Sequence, residues 1–217
     1  MNLHPAILVL LTGLGAYVIG STPTGMIIGR LKGVDPRREG SGNIGATNIA
    51  RILGRRWGYI CFVLDVAKGM LPVILVGIVF DGSSLVLYQW AYIAAGMGAV
   101  LGHVFTFWLA FRGGKGVATA LGVVIGIFPY FTWPGLTALA IWVVVTLVWR
   151  YVSLGSIIAA LCFAPLFVIM NFNQLCELWP LGTFASAVVI LILVKHRTNI
   201  RRLLSGTENK IGSKASR

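Results

Sequence analysis

Three polar stretches carry the residue types that could do chemistry: GSGNIGATNIARILGRR at 40–56, GHVFTFWLAFRGGKGVAT at 102–119 and KHRTNIRRLLSGTEN at 195–209. In the first, Ser41, Asn43, Thr47 and Asn48 alternate with small residues ahead of Arg51. Polar side chains and freed backbone N–H groups in such a pattern form concavities that hold anions. In the second, Lys115 stands among Gly113, Gly114 and Gly116, and in the third His196 is flanked by Lys195 and Arg197, with Asn199 one helical turn on. Glycine beside lysine is a common way to cradle a phosphate, but this is not a Walker nucleotide loop. That loop needs Ser or Thr after its lysine and a glycine five positions before its second glycine; here Gly116 follows Lys115 and Leu109 stands at the earlier position.

Other site chemistries find no support in the spacing. No carboxylate or cysteine stands at metal-ligand spacing from His103 or His196. Asp35, Asp65 and Asp81 have no histidine near them in sequence to suggest a Ser-His-Asp set. His103, at the end of an apolar run, reads as a hydrogen-bonded structural residue before it reads as a base. Cys61, Cys162 and Cys176 show no C-x-x-C pattern and read as packing residues.

The elements that must position these stretches are membrane helices. Of 217 residues, 57% are hydrophobic and only 11% are charged, less than half the charged share of an ordinary globular domain. Between Ala120 and Val194 the only charges are Arg150 and Glu177. The hydropathy pattern predicts seven spans, at 6–29, 59–80, 88–110, 117–133, 134–149, 152–172 and 179–195. The 117–133 span is short and glycine-bearing, so it is expected to be tilted or partly re-entrant.

The net charge of +12 would suggest nucleic acid in a water-soluble chain. Here the basic residues alternate along the chain instead. They fall at 30–56, at Lys68, at Arg112 and Lys115, at Arg150 and after Val194, whereas Met1–Pro5, Asp81–Leu87, the turn around Trp133–Pro134 and Asn171–Leu178 carry none. Cytoplasmic loops carry the excess of Lys and Arg, so the N-terminus is expected outside and the C-terminus in the cytoplasm. All three polar stretches then share the cytoplasmic face. The chain is expected to form one polytopic domain over 1–217, with a polar tail at 205–217, and its N-terminal run reads as a retained span. Arg30, Lys32, Arg37, Arg38 and most of Arg55–Arg56 read as anchors to lipid headgroups. Asp65 and Lys68 lie i, i+3 within the second span, as a structural ion pair or as a substrate contact set back from the reacting atoms.

SGNIGATN, GHVFTFWLAFRGGKGVAT and KHRTNIRRLLSGTE resemble, in order and spacing, the three cytoplasmic motifs of the bacterial acyl-phosphate-dependent glycerol-3-phosphate acyltransferases. The similarity extends to GSTPTG at 20–25, DVAKG at 65–69 and RYVSLGSI at 150–157. It implies an all-α enzyme of the bacterial inner membrane with seven spans. Such an enzyme moves a fatty acyl group from acyl phosphate to the first hydroxyl of sn-glycerol 3-phosphate, with membrane lipid around it, no nucleic acid and no cofactor or metal. A monomer is expected. Carried over by position, the resemblance implies that Arg51 and Lys115 clamp phosphate, with Gly113, Gly114 and His103 in the binding stretch. Ser41, Asn43, Thr47, Asn48 and Ser153 add neutral hydrogen bonds, while His196 and Asn199 serve the acyl phosphate and the developing oxyanion. Glu208 is expected to orient an arginine.

The residues agree with that chemistry. Acyltransferases with soluble donors use a His-x-x-x-x-Asp dyad, and the residues at that spacing from His4, His103 and His196 are Val9, Trp108 and Arg201. A small anion channel is the chief rival, but a permeation path needs polar residues through the membrane depth, and these stretches lie on one side. A metal-dependent phosphotransferase would need clustered carboxylates; the chain has six acidic residues, spread singly.

Overall fold

The computed structural model describes residues 4–212, so Met1–Leu3 and the end of the polar tail lie outside the described residues. The described chain is helical, with α1 Pro5–Gly20, α2 Thr24–Leu31, α3 Ala46–Leu53, α4 Arg55–Val79, α5 Leu85–Val104, α6 Val117–Gly126, α7 Thr132–Trp149, α8 Val152–Met170, α9 Leu175–Lys195 and α10 Arg197–Leu204. It divides into two compact units, one ending at Gly126 and one beginning at Ile127, a boundary that no linker in the sequence marks.

Among the described residues six stretches are long and apolar enough to cross a membrane: Pro5–Leu31, Arg55–Val79, Leu85–Leu109, Thr132–Trp149, Val152–Met170 and Phe172–Lys195. Two expected spans come out differently. The first is broken between Gly20 and Thr24, because Pro23 has no N–H to donate and disfavours helix at the residue before it. The span expected at 117–133 is helical only over Val117–Gly126. Ten residues rise about 15 Å, half the thickness of a bilayer's hydrocarbon core.

In the first unit α1 lies along α5, and α4 packs against α3, α5 and α6. The α1–α5 approach depends on small residues: a Cβ at Gly20 would land on the Ala99 backbone, and one at Gly102 on the Tyr17 carbonyl. In membranes such close backbone packing replaces the hydrophobic drive between helices. The Tyr17 hydroxyl then donates to the Phe105 carbonyl at 2.7 Å, and the Thr106 hydroxyl donates to the Ser21 carbonyl at 2.5 Å. The end of α5 is thereby tied to the break after α1.

In the second unit α8 packs against α7 and α9, and α10 lies against α8 and α9. Phe131 is its aromatic centre, with ring centroids 5.2 Å from Phe163, 5.3 Å from Phe167 and 5.8 Å from Phe184. The outward faces are apolar: Leu10, Leu147 and Ile169 are all exposed. Scattered through water, so much exposed apolar surface would be a liability; against lipid tails it is the matching solvent.

Candidate active site

The first loop is folded by a buried side chain. Asn48, on the first turns of α3, accepts from the Ser41 backbone N–H at 2.8 Å and donates to the carbonyls of Pro36, Glu39 and Asn43 at 3.0, 3.1 and 2.8 Å. Its hydrogen-bonding capacity, expected to go to a substrate, goes to the loop. Asn43 makes a tight local turn by accepting from the Gly45 N–H at 2.8 Å. Thr47 is exposed on α3, and Arg51, four residues on and so on the same helix face, is partly buried. Ser41 is partly buried, and its hydroxyl sits where Asn48 fixes its backbone.

The approach to this loop is braced by charge. The Arg37 guanidinium takes both oxygens of Asp35, at 3.0 Å from Nε and 2.7 Å from Nη2. The hydrogen bonds from Arg37 hold the Asp35 carboxyl down to about 2, so the brace is intact at any physiological pH. Lys32 is likewise engaged, with Nζ 4.3 Å from the centre of the Trp57 ring, a cation–π contact.

The second loop is laid over the end of α5. Gly113 N–H donates to the Val104 carbonyl and Gly114 N–H to the His103 carbonyl, each at 3.1 Å. The turn needs glycine at both places. A Cβ at Gly113 would overlap the His103 carbonyl, and one at Gly114 would overlap Nε2 of the His103 ring. Lys115 follows, partly buried, and Gly116 turns the chain into α6 with φ +85°, a backbone conformation that side chains resist. His103 is buried beneath this loop, with its ring against Gly114.

Beneath it lies a buried polar group. Asp65 Oδ1 accepts from the Thr24 hydroxyl at 2.5 Å and pairs with Lys68 Nζ at 2.8 Å, while Lys68 also donates to the Thr22 carbonyl at 2.8 Å. His103 Nδ1 stands 3.6 Å from the same carboxylate oxygen, beyond hydrogen-bond reach. Of the two roles open for Asp65 and Lys68, the structure gives the ion pair.

The third stretch, in the second unit, gathers on Glu208. Its Oε1 accepts from the Ser153 hydroxyl at 2.8 Å and Asn199 Nδ2 at 2.7 Å, and its Oε2 from Arg202 Nε at 2.7 Å. The arginine that Glu208 orients is Arg202. The Ser153 hydroxyl and Asn199 amide, expected at a substrate, donate here to a carboxylate. Arg150 clasps the same segment: its Nη2 donates to the Ile211 carbonyl and its own carbonyl accepts from Ile211 N–H, both at 2.8 Å. His196 is buried at the junction of α9 and α10, with Nδ1 2.8 Å from the Ile192 carbonyl. A carbonyl only accepts, so Nδ1 carries the proton and Nε2 is the acceptor of the neutral ring.

Burial pushes the Glu208 carboxyl up, but the hydrogen bonds from Ser153, Arg202 and Asn199, with the Arg202 charge, outweigh it and leave the group below the ordinary glutamate value of 4.5. A depressed folded value means that the stability Glu208 adds is full above the unfolded value and is lost as pH falls through the folded one. Hydrogen exchange at the Ile211 amide, corrected for its intrinsic pH dependence, is therefore expected to stay protected at neutral pH and to lose protection as the pH drops below about 4.5. Glu208→Gln should weaken that protection at neutral pH and flatten its pH dependence; a parent-like acid profile in that variant would place the titration elsewhere.

Among the described residues no three His, Cys, Asp or Glu side chains are grouped as a metal would need. A family model described as glycerol-3-phosphate acyltransferase matches residues 10–206. The glycerol-3-phosphate acyltransferase of Geotalea daltonii is 47% identical over 196 residues, covering 90% of this chain and 94% of that protein. Two crystal structures of PlsY (YgiH), an integral membrane glycerol 3-phosphate acyltransferase, superimpose on most of the chain. The glycerol 3-phosphate form gives a TM-score of 0.81 at 38% identity, covering 94% of this chain and 96% of its own. The lysophosphatidic acid form gives 0.79 at 37%, covering 96% and 97%.

Proposed function

The chain belongs to the glycerol-3-phosphate acyltransferase family, and on that premise we propose that it transfers a fatty acyl group from acyl phosphate to the first hydroxyl of sn-glycerol 3-phosphate. The hydroxyl oxygen bonds to the acyl carbonyl carbon, the bond from that carbon to the phosphate oxygen breaks, and the hydroxyl proton leaves with inorganic phosphate. The other product is lysophosphatidic acid. The observation that carries the choice of donor is what the chain lacks in sequence: no His-x-x-x-x-Asp dyad stands ready to activate the alcohol. Acyl phosphate is already activated, and a phosphate with a second pKa of about 6 can itself take a proton at neutral pH. The protein has mainly to position two anions and stabilise charge.

In this reading Arg51 and Lys115 hold phosphate, the guanidinium because its planar fork meets two oxygens at once. Ser41 and Thr47 add hydroxyl contacts, and Asn43 and Asn48 shape the loop that presents them. His196, with Nδ1 held at a backbone carbonyl, serves the acyl phosphate and the developing oxyanion. Ser153 and Asn199 act with Glu208 to set the third stretch. Purified protein given acyl phosphate and glycerol 3-phosphate should form lysophosphatidic acid by mass spectrometry, undiminished by a strong chelator. Loss that one particular divalent ion restores would reject this mechanism.

We further propose that the N-terminus faces outward and the basic loops face the cytoplasm, in the bacterial inner membrane. Six crossings would put Arg150 and the basic C-terminal stretch outside, against the positive-inside rule, so the short α6 must carry the chain across, with the bilayer thinned around it. In a background lacking Cys162 and Cys176, an impermeant thiol reagent should reach Ser83→Cys and not Ser205→Cys in intact cells. Labelling of both would mean six crossings.

A further inference from the structure

The buried group under the glycine loop has no part in the chemistry proposed above, and its cost needs a reason. Asp65 and Lys68 are 1% and 6% exposed, and a buried ion pair gives little net stability over apolar packing. What it does give is a fixed geometry between elements. Asp65 and Lys68 are on α4, Thr24 opens α2, and the Thr22 carbonyl that takes Lys68 lies in the break between α1 and α2. The His103 ring stands between this group and the loop: Nδ1 faces Asp65 at 3.6 Å, and the Nε2 end is the part that a Cβ at Gly114 would strike. The carboxylate thus faces the ring against which Gly114 packs, and the next residue is Lys115.

We infer that Asp65 is a positioning residue for Lys115, acting through His103 and the Gly113–Gly114 turn folded over it. The Thr24 hydroxyl and Lys68 hold the carboxylate still, and Lys68 ties it to the helix break. Asp65 touches no reacting atom in this account. The inference rests on the reading that Lys115 holds a substrate phosphate, and its test has one arm that needs no turnover.

That arm is hydrogen exchange in the full-length protein. Asp65→Asn keeps the size of the side chain and removes its charge. The Gly113 and Gly114 amides, which donate to Val104 and His103, should exchange tenfold or more faster, while the Ser41 amide held by Asn48 should not change. The second arm is kinetic. Asp65→Asn should divide its loss between KM for glycerol 3-phosphate and kcat in the same proportion as Lys115→Ala, and the Asp65→Asn/Lys115→Ala double variant should be within twofold of Lys115→Ala alone, as expected of residues acting as one unit. Unchanged exchange at the glycine loop, or losses that multiply in the double variant, would overturn the inference. If Asp65→Asn does not fold, Thr24→Val, which removes one hydrogen bond to the carboxylate, carries the same readouts with a severalfold change. If the parent protein itself turns over no substrate, the proposed function fails and the exchange arm still decides the role of Asp65.

Discussion

Lys115→Ala loses tenfold or more of its catalytic efficiency with glycerol 3-phosphate while inserting and purifying like the parent protein. The lysine is partly buried in a loop with glycine on both sides, so its ammonium is presented by backbone and not by a flexible surface segment. A hydrogen bond to a charged group contributes about 1.5–3 kcal/mol, and 1.4 kcal/mol is about a factor of ten. Lys115→Arg rescues poorly, because the guanidinium is larger and planar and the loop beneath has no slack. Arg30→Ala, which removes an exposed charge far along the chain from the loop, keeps parent activity. Steady-state kinetics on the three variants checks this; equal, near-normal turnover in both alanine variants would make Lys115 an interfacial anchor and no more.

Gly113→Ala is expected to be as damaging as loss of the lysine, although it removes no functional group. The added methyl would fall on the His103 carbonyl, with the Val104 carbonyl next to it. These are backbone atoms at the end of α5 and cannot rotate away. Overpacking of this kind costs about 1–3 kcal/mol, and the cheapest relief is to lift the loop, which breaks the Gly113 N–H bond to Val104 and displaces Lys115. The expected loss in kcat/KM is about tenfold to a hundredfold, with normal yield. Gly15→Ala is the comparison: a Cβ there meets nothing within 4 Å, and alanine is favoured in helices. A Gly113→Ala enzyme as active as Gly15→Ala would show that the loop need not sit against α5.

The apolar spans were legible in the sequence because they rest on a local quantity, the length of apolar run. The failures are equally physical. The break at Ser21–Pro23 was present as a proline, but the hydropathy of the flanking runs masked it, and α6 ended at Gly126 where an apolar run continued. At the site, residue types were legible and their partners were not. Asn48 and Glu208 were visible as polar residues in motifs, yet whether such a side chain meets substrate or protein depends on contacts with residues several to tens of positions away, such as Pro36 for the first and Ser153 for the second. The i, i+3 spacing marked Asp65 with Lys68, whereas the approach of His103 required helix packing that no sequence spacing encodes.

The central claim is that the activated donor is an acyl phosphate. It is tested most directly by giving the purified protein glycerol 3-phosphate with either palmitoyl phosphate or palmitoyl-CoA and following inorganic phosphate, free thiol and lysophosphatidic acid together. The account predicts one phosphate released for each lysophosphatidic acid formed from the acyl phosphate, and neither thiol nor lipid product from the thioester. Lysophosphatidic acid formed with thiol release, and none from acyl phosphate, would contradict it.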